Sequence, residues 1–228
     1  MSTEMPPAGR DPQAASKLQI LATEHWSLLA TRSLTYTESL GRVNMFLAIL
    51  SGAVIALALV AQADHFGPTF IAVAIFMLSI VFFTGVATIA RLMALNRDDF
   101  RWVIGMNRLR HAYLELHPEL EANFVTSPFD DLGGALQTLG IDIAGRERLG
   151  SVGHGLQTLP GMLSIIVAAD AGAIGALAAV AIGLPLVGVL LVGAAAFLLT
   201  AVLIGNSGRR AVRRFDPMLE ARFPSPKS

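Results

Sequence analysis

The chain has 228 residues, of which 54% are hydrophobic and only 15% are charged, and its mean hydropathy is +0.59. This balance is typical of a membrane protein. The formal net charge is zero, and the absence of cysteine excludes disulfides, thiolate zinc sites, iron–sulfur clusters and cysteine-linked lipid anchors.

The first predicted element is a long helical hairpin. Residues 1–13 contain three prolines and no apolar periodicity, which predicts a disordered tail. From Ser16, a candidate N-cap, apolar residues recur at helical spacing. Segments 43–63 and 68–90 contain no Lys or Arg and are long enough to cross the roughly 30 Å hydrocarbon core of a bilayer. We expect two long helices over residues 14–117, whose polar halves project into the cytoplasm and pack together.

A cytoplasmic linker with short helices is predicted for residues 118–160, which seven glycines interrupt. Its clearest helical stretch is 130–139, with Ser127 or Asp130 as the N-cap. Negative charge is favoured at a helix start, so capping accounts for the acidic residues there without catalysis. Residues 152–159 are expected to lie along the membrane surface.

The second predicted hairpin covers residues 161–206, with membrane spans at 162–183 and 186–206. Small residues recur every four positions along the third span, a pattern that permits close helix contact. This face is expected to pack on the fourth span or on a neighbouring subunit, which predicts a homo-oligomer, and a pore lining is the alternative. Its members are Ala171, Gly175, Ala179 and Gly183.

A basic tail, residues 207–228, follows the fourth span. All 17 Lys and Arg residues fall before the first span, between the second and third spans, or in this tail. Because Lys and Arg beside membrane spans stay on the cytoplasmic side, both termini are predicted to be cytoplasmic. The sequence thus predicts an all-α, multi-pass protein of the plasma membrane, and its Ala-, Gly- and Arg-rich usage suggests a bacterial inner membrane.

Asp170 is the one ionisable residue deep inside a predicted span. A charged carboxylate at mid-bilayer costs at least about 2.5–3.5 kcal/mol, so its presence suggests a proton or cation site. The alternative is a protonated side chain that donates a hydrogen bond to a neighbouring helix. Asp170 is therefore a candidate permeation or gating residue. Its possible partners are Asp170 of other subunits and the hydroxyls of Ser51, Ser79, Thr84, Thr88 and Thr200, of which the three threonines are further permeation candidates.

Two groups of arginines are candidate binding sites. The first group lies beyond the second span among aromatic residues, and such a mixture can bind phosphates or a nucleotide base, although ion pairs within the hairpin are the simpler explanation. The second group follows the fourth span and is suited to anionic headgroups, although topology anchoring is the simpler explanation. The groups are Arg97, Arg101, Arg108 and Arg110, and Arg209, Arg210, Arg213 and Arg214.

No catalytic signature is present. The histidines are dispersed, and no metalloprotease, nucleophile-elbow or phosphate-loop motif occurs. We therefore expect no enzyme activity, no cofactor, no metal and no nucleic-acid partner.

In layout, residues 16–117 resemble SLATT-type membrane effector domains of bacterial nucleotide-signalling and conflict systems. The resemblance lies in a polar helix from Leu18 to Arg42, two spans joined through Asp64 and His65, and a basic helix over residues 91–113. It implies a self-associating effector that perturbs or permeabilises the membrane. The second hairpin departs from that two-span plan.

Two functions are therefore expected from the sequence. The first is an oligomeric, channel-like or effector protein with Asp170 in a permeation or gating region. The alternative is a non-transporting membrane scaffold that recruits a protein or anionic lipid through its cytoplasmic helices and basic tail.

Overall fold

The computed structural model describes residues 12–140, 158–213 and 220–226, and every regular element in those ranges is helical. Helix α1 covers Pro12–Asp64 and α2 covers Pro68–Leu116; a 3-10 helix, Pro118–Asn123, follows. Helix α3 covers Leu132–Thr138, α4 covers Leu159–Ala181 and α5 covers Leu186–Arg213. The predicted all-α class is confirmed.

Four helices within the described ranges, α1, α2, α4 and α5, are long and apolar enough to cross a membrane. The chain is therefore a polytopic membrane protein with the four predicted spans. It divides into two compact units, to which α1 and α2 both contribute. We call residues 36–97 and 158–213 the membrane unit, and residues 12–35, 98–140 and 220–226 the polar unit.

Several predicted boundaries differ from the structure. Helix α1 begins at Pro12 rather than after Ser16, because proline fits the first turn of a helix, where its missing N–H is not needed. The predicted disordered tail therefore loses residues 12–13, and residues 1–11 lie outside the described ranges. At the other end, α5 continues through residues 207–213, which belong to the predicted basic tail.

The linker also differs in detail. Helix α3 is shorter than predicted, and its N-cap is Asp131, whose side chain accepts a hydrogen bond from the amide of Gly134 at 2.7 Å. Asp130, one of the two predicted caps, is thus left for another role. The predicted surface segment lies mostly outside the described residues, and its last member, Leu159, begins α4.

Both turns of the membrane unit are tight. Asp64 ends α1, and its carboxylate accepts a hydrogen bond from the amide of Phe70 at 2.7 Å, which caps the start of α2. At the other turn, Gly183 has a φ of +74°, and the amide of Leu184 donates to the carbonyl of Ala179 at 3.0 Å. This bonding closes α4 with a Schellman motif, in which the left-handed position favours glycine.

The core of the membrane unit brings α1, α2 and α4 together. Phe46 of α1, Val81 and Leu92 of α2, and Val167 of α4 are almost completely buried in it. Gly85 of α2 allows the closest approach, because an added Cβ would overlap the side chains of Val167 and Phe46. Close packing of this kind fixes the spacing of the helices.

The polar unit has its own small core, in which Val103 and Ile104 of α2 pack with Ala135 of α3. Arg32 of α1 pairs with Asp99 of α2 at 2.6 Å. The 3-10 helix and α3 complete the unit together with residues 220–226.

Candidate functional site

Asp170 lies on the buried side of α4, in line with Leu163 and Val167. Residues three and four positions apart share one face of a helix, so the face that packs into the apolar core also carries the carboxyl group. Only 7% of Asp170 is exposed, and neither carboxylate oxygen has a hydrogen-bond partner among the described residues. Asp170 is therefore a buried ionisable group that no described residue compensates with a hydrogen bond.

The predicted hydroxyl partners do not reach Asp170. Thr84 donates to the carbonyl of Ile80 at 2.7 Å, and Thr88 donates to the carbonyl of Thr84 at 2.8 Å. Both hydroxyls, like that of Ser79, are bonded within α2, as is common for Ser and Thr inside helices. Ser51 is exposed, and Thr200 is half-buried on α5.

The sequence allows Asp170 side chains of several subunits to form a ring around a symmetry axis. Such a ring requires Asp170 at the surface of the chain. Asp170 is instead enclosed within one chain. In the conformation described, the carboxyl group therefore does not reach a neighbouring subunit. The sequence places the residue within a predicted span, but only packing decides which way its helix faces.

The small residues of α4 pack on α5 of the same chain. A Cβ on Gly172 would lie 3.2 Å from the carbonyl oxygen of Gly193, and a Cβ on Gly175 would lie 2.9 Å from the Cβ of Ala196. Gly175 thus packs within the chain, whereas Gly183, the helix-ending residue described above, is exposed, and an added Cβ there would meet nothing within 4 Å. Of the other two predicted contact residues, Ala179 is buried and Ala171 is half-buried.

The first arginine group does not form one ligand site. Arg101 pairs with Asp98 at 3.5 Å, and Arg110 is buried and donates to the side-chain oxygen of Asn107 at 2.7 Å. Burial lowers the pKa of Arg110, and the positive charge of Arg32 lowers it further. These contacts agree with the simpler explanation, ion pairs and hydrogen bonds within the hairpin.

Arg108, the third member of that group, belongs to a cluster that the sequence did not indicate. Its Nε donates to Asp130 at 2.7 Å, and its terminal nitrogen donates to the carbonyl of Glu220 at 3.2 Å. Asp130 also accepts hydrogen bonds from the backbone amides of Arg222 at 3.0 Å and Phe223 at 2.7 Å. The carboxylate therefore holds the C-terminal segment 220–226 against the polar unit.

Asp131 also holds this segment, because it accepts hydrogen bonds from both the amide and the hydroxyl of Ser225, each at 2.9 Å. The ring of Phe223 stacks on His111 with 3.9 Å between ring centres. Burial by itself raises the pKa of Asp130, but hydrogen bonds from the amides of Arg222 and Phe223 and from Arg108 outweigh it, so the pKa of Asp130 lies below its usual value.

The arginines after the fourth span are only partly described. Arg209 and Arg210 are exposed near the end of α5. Arg213 is the last residue of that helix; its side chain and the whole of Arg214 lie outside the described residues. The remaining member of the first group, Arg97, lines a groove of the membrane unit together with Arg210.

No group of three or more His, Asp or Glu residues within the described ranges is placed to hold a metal ion. Comparison of the chain with family models, curated proteins and solved structures gave no match. Function must therefore be argued from the geometry alone.

Proposed function

We propose that this protein is an oligomeric, channel-like effector of a bacterial inner membrane, in which Asp170 controls opening. The observation that carries the proposal is the burial of both carboxylate oxygens of Asp170 without a hydrogen-bond partner in the described chain. No Lys or Arg lies within any of the four spans to neutralise the side chain.

A charge on Asp170 is costly in the buried conformation. A charged carboxylate at mid-bilayer costs at least about 2.5–3.5 kcal/mol, so Asp170 is neutral in the buried conformation. When the carboxyl group releases its proton to water, the charged form favours any conformation that hydrates it. Because Val167, one helical turn away, packs against Gly85, hydration requires a displacement of α4 from α2. The described conformation is then the closed state.

The distribution of charge supports the orientation that we propose. Every Lys and Arg lies before the first span, between the second and third spans, or after the fourth, and four spans would put these three segments on one side of the membrane. By the positive-inside rule this side is the cytoplasm. A rise in pH on the side from which water reaches Asp170 is then the perturbation that removes the proton.

The experiment is a flux measurement on the purified full-length protein in liposomes. We expect proton or monovalent-cation flux that rises with pH in the wild type and is lost in Asp170→Asn, whose amide stays neutral. Ser164→Ala is the matched control, because Ser164 lies on the same helix and its hydroxyl donates to the carbonyl of Pro160 at 2.6 Å, within that helix. Flux that is equal in the wild type and in Asp170→Asn would contradict the proposal.

A second candidate function is a non-transporting scaffold that recruits a protein or anionic lipid through its polar segments. It is favoured by the enclosure of Asp170 within one chain, which suits a neutral structural side chain. For a scaffold, replacing the unpartnered carboxyl in Asp170→Leu removes a buried polar group without breaking a bond. We then expect unchanged or higher thermal stability and no flux at any pH or voltage.

A further inference from the structure

We propose that a groove between α2 and α5 binds one anionic phospholipid molecule, with the headgroup phosphate between Arg97 and Arg210 and an acyl chain along the apolar floor. The groove has a volume of about 350 Å³, and we call it the two-arginine groove. This inference does not depend on the gating role of Asp170. The lining residues are Val86, Ile89, Ala90, Met93 and Arg97 of α2 and Ile204, Ser207 and Arg210 of α5.

The groove is amphipathic along its length. Its α2 wall is apolar from Val86 to Met93 and ends at Arg97, and its α5 wall passes from Ile204 to Arg210. At 1.5 Å per residue, the α2 wall extends about 16 Å from its apolar end to its charged end. A ligand with an apolar chain and a charged head matches this gradient, whereas a free phosphate uses only the charged end.

The two arginines at the charged end of the two-arginine groove favour an anionic ligand. Neither Arg97 nor Arg210 forms an ion pair with any residue in the described ranges, and no Asp or Glu lines the groove. The nearest acidic neighbour in sequence, Asp98, pairs with Arg101. Two guanidinium groups without acidic partners complement the phosphate of an anionic headgroup, to which Arg donates in a planar, forked geometry.

Packing beneath the groove fixes the spacing of its two walls. A Cβ on Gly208 would lie 3.3 Å from the terminal methyl of Met93, so α5 approaches α2 closely there. Ile89 is buried in the core of the membrane unit, and Met93 and Ile204 pack against that core. These packed side chains support the floor from beneath, while Val86 and Ala90 on the lining are exposed. A lipid molecule can therefore enter laterally from the bilayer.

The test uses the full-length protein in an uncharged detergent, with lipid binding followed by native mass spectrometry and by thermal shift. The probes are dioleoyl phosphatidylglycerol, dioleoyl phosphatidylcholine and, as a headgroup without chains, glycerol phosphate. We expect one tightly held phosphatidylglycerol, much weaker binding of phosphatidylcholine, and no thermal shift with glycerol phosphate. A headgroup charge interacts with about 1 kcal/mol per arginine, so Arg97→Gln and Arg210→Gln should each weaken binding about fivefold, and the double variant about 30-fold.

Two variants separate this site from general basic attraction. Lys17→Gln removes an exposed positive charge from α1 at a position outside the lining, so binding should stay within about twofold of the wild type. Ala90→Phe keeps both arginines but fills the apolar floor, so it should weaken phosphatidylglycerol binding at least tenfold. Equal losses in Lys17→Gln and Arg210→Gln, full binding in Ala90→Phe, or a thermal shift with glycerol phosphate equal to that with the lipid would each overturn the proposal.

Discussion

Replacement of Asp130 by asparagine should release the C-terminal segment 220–226 from the polar unit. The side chain of Asp130 is completely buried and accepts three hydrogen bonds, from Arg108, Arg222 and Phe223. An amide of the same shape keeps one acceptor oxygen, but its NH₂ group faces a donor, and Arg108 loses its ionic partner. Hydrogen bonds to charged groups contribute about 1.5–3 kcal/mol each, so we expect docking to weaken by about 3 kcal/mol.

The measurement is amide hydrogen exchange on the full-length protein. A loss of about 3 kcal/mol corresponds to roughly a hundredfold faster exchange when exchange follows local opening. The informative amides are those of Arg222, Phe223 and Ser225, which donate to Asp130 and Asp131. Exchange in α4 should not change.

The control is Glu121→Gln, which removes one acidic charge from an exposed position of the 3-10 helix. It should leave exchange in residues 220–226 at the wild-type rate. If Asp130→Asn also leaves those rates unchanged, the carboxylate does not hold the segment and the reasoning fails.

The remaining predictions test pH dependence and packing. The pKa of Asp130 is lowered, so docking of the C-terminal segment should be constant above pH ~4, where a free Asp is ionised, and should weaken only as pH falls further. Hydrogen exchange measures this as faster exchange of the amides in that segment. Hydrogen bonds from Arg91 and then Arg42 lower the pKa of Glu38 to about 2, so Arg91→Gln should raise it, as measured by NMR titration of the carboxyl carbon. Gly85→Val should lower the free energy of unfolding by about 1–3 kcal/mol through overpacking. Gly52→Val should lower it by less than half as much, because an added Cβ at Gly52 meets nothing within 4 Å. Thermal melting in detergent compares the two variants, and equal losses of stability would show that α2 and α4 do not approach closely.

The four spans were predictable because their cause is local. A bilayer imposes a minimum length and excludes Lys and Arg, and both conditions can be checked along the sequence without knowing what packs on what. The long helices of the first hairpin were predictable from another local feature, the recurrence of apolar residues at helical spacing. The predicted start of α1 lies too far along the chain, because prolines within residues 1–13 argue against a helix there, although proline suits a first helical turn and α1 begins at Pro12.

Helix orientation and the pairing of distant segments were decided only by tertiary structure. Asp170 was identifiable as an intramembrane carboxyl group, but its lack of a partner depends on which face of α4 meets α2.

Asp130 had a local explanation as a helix cap, and nothing near it in sequence indicated bonds to residues 92 and 93 positions away. Arg97 and Arg210 likewise belonged to two separate basic groups until α5 packed beside α2. A sequence determines composition and periodicity residue by residue, whereas contacts between remote residues arise only when helices pack and their buried polar groups are paired or left unpaired.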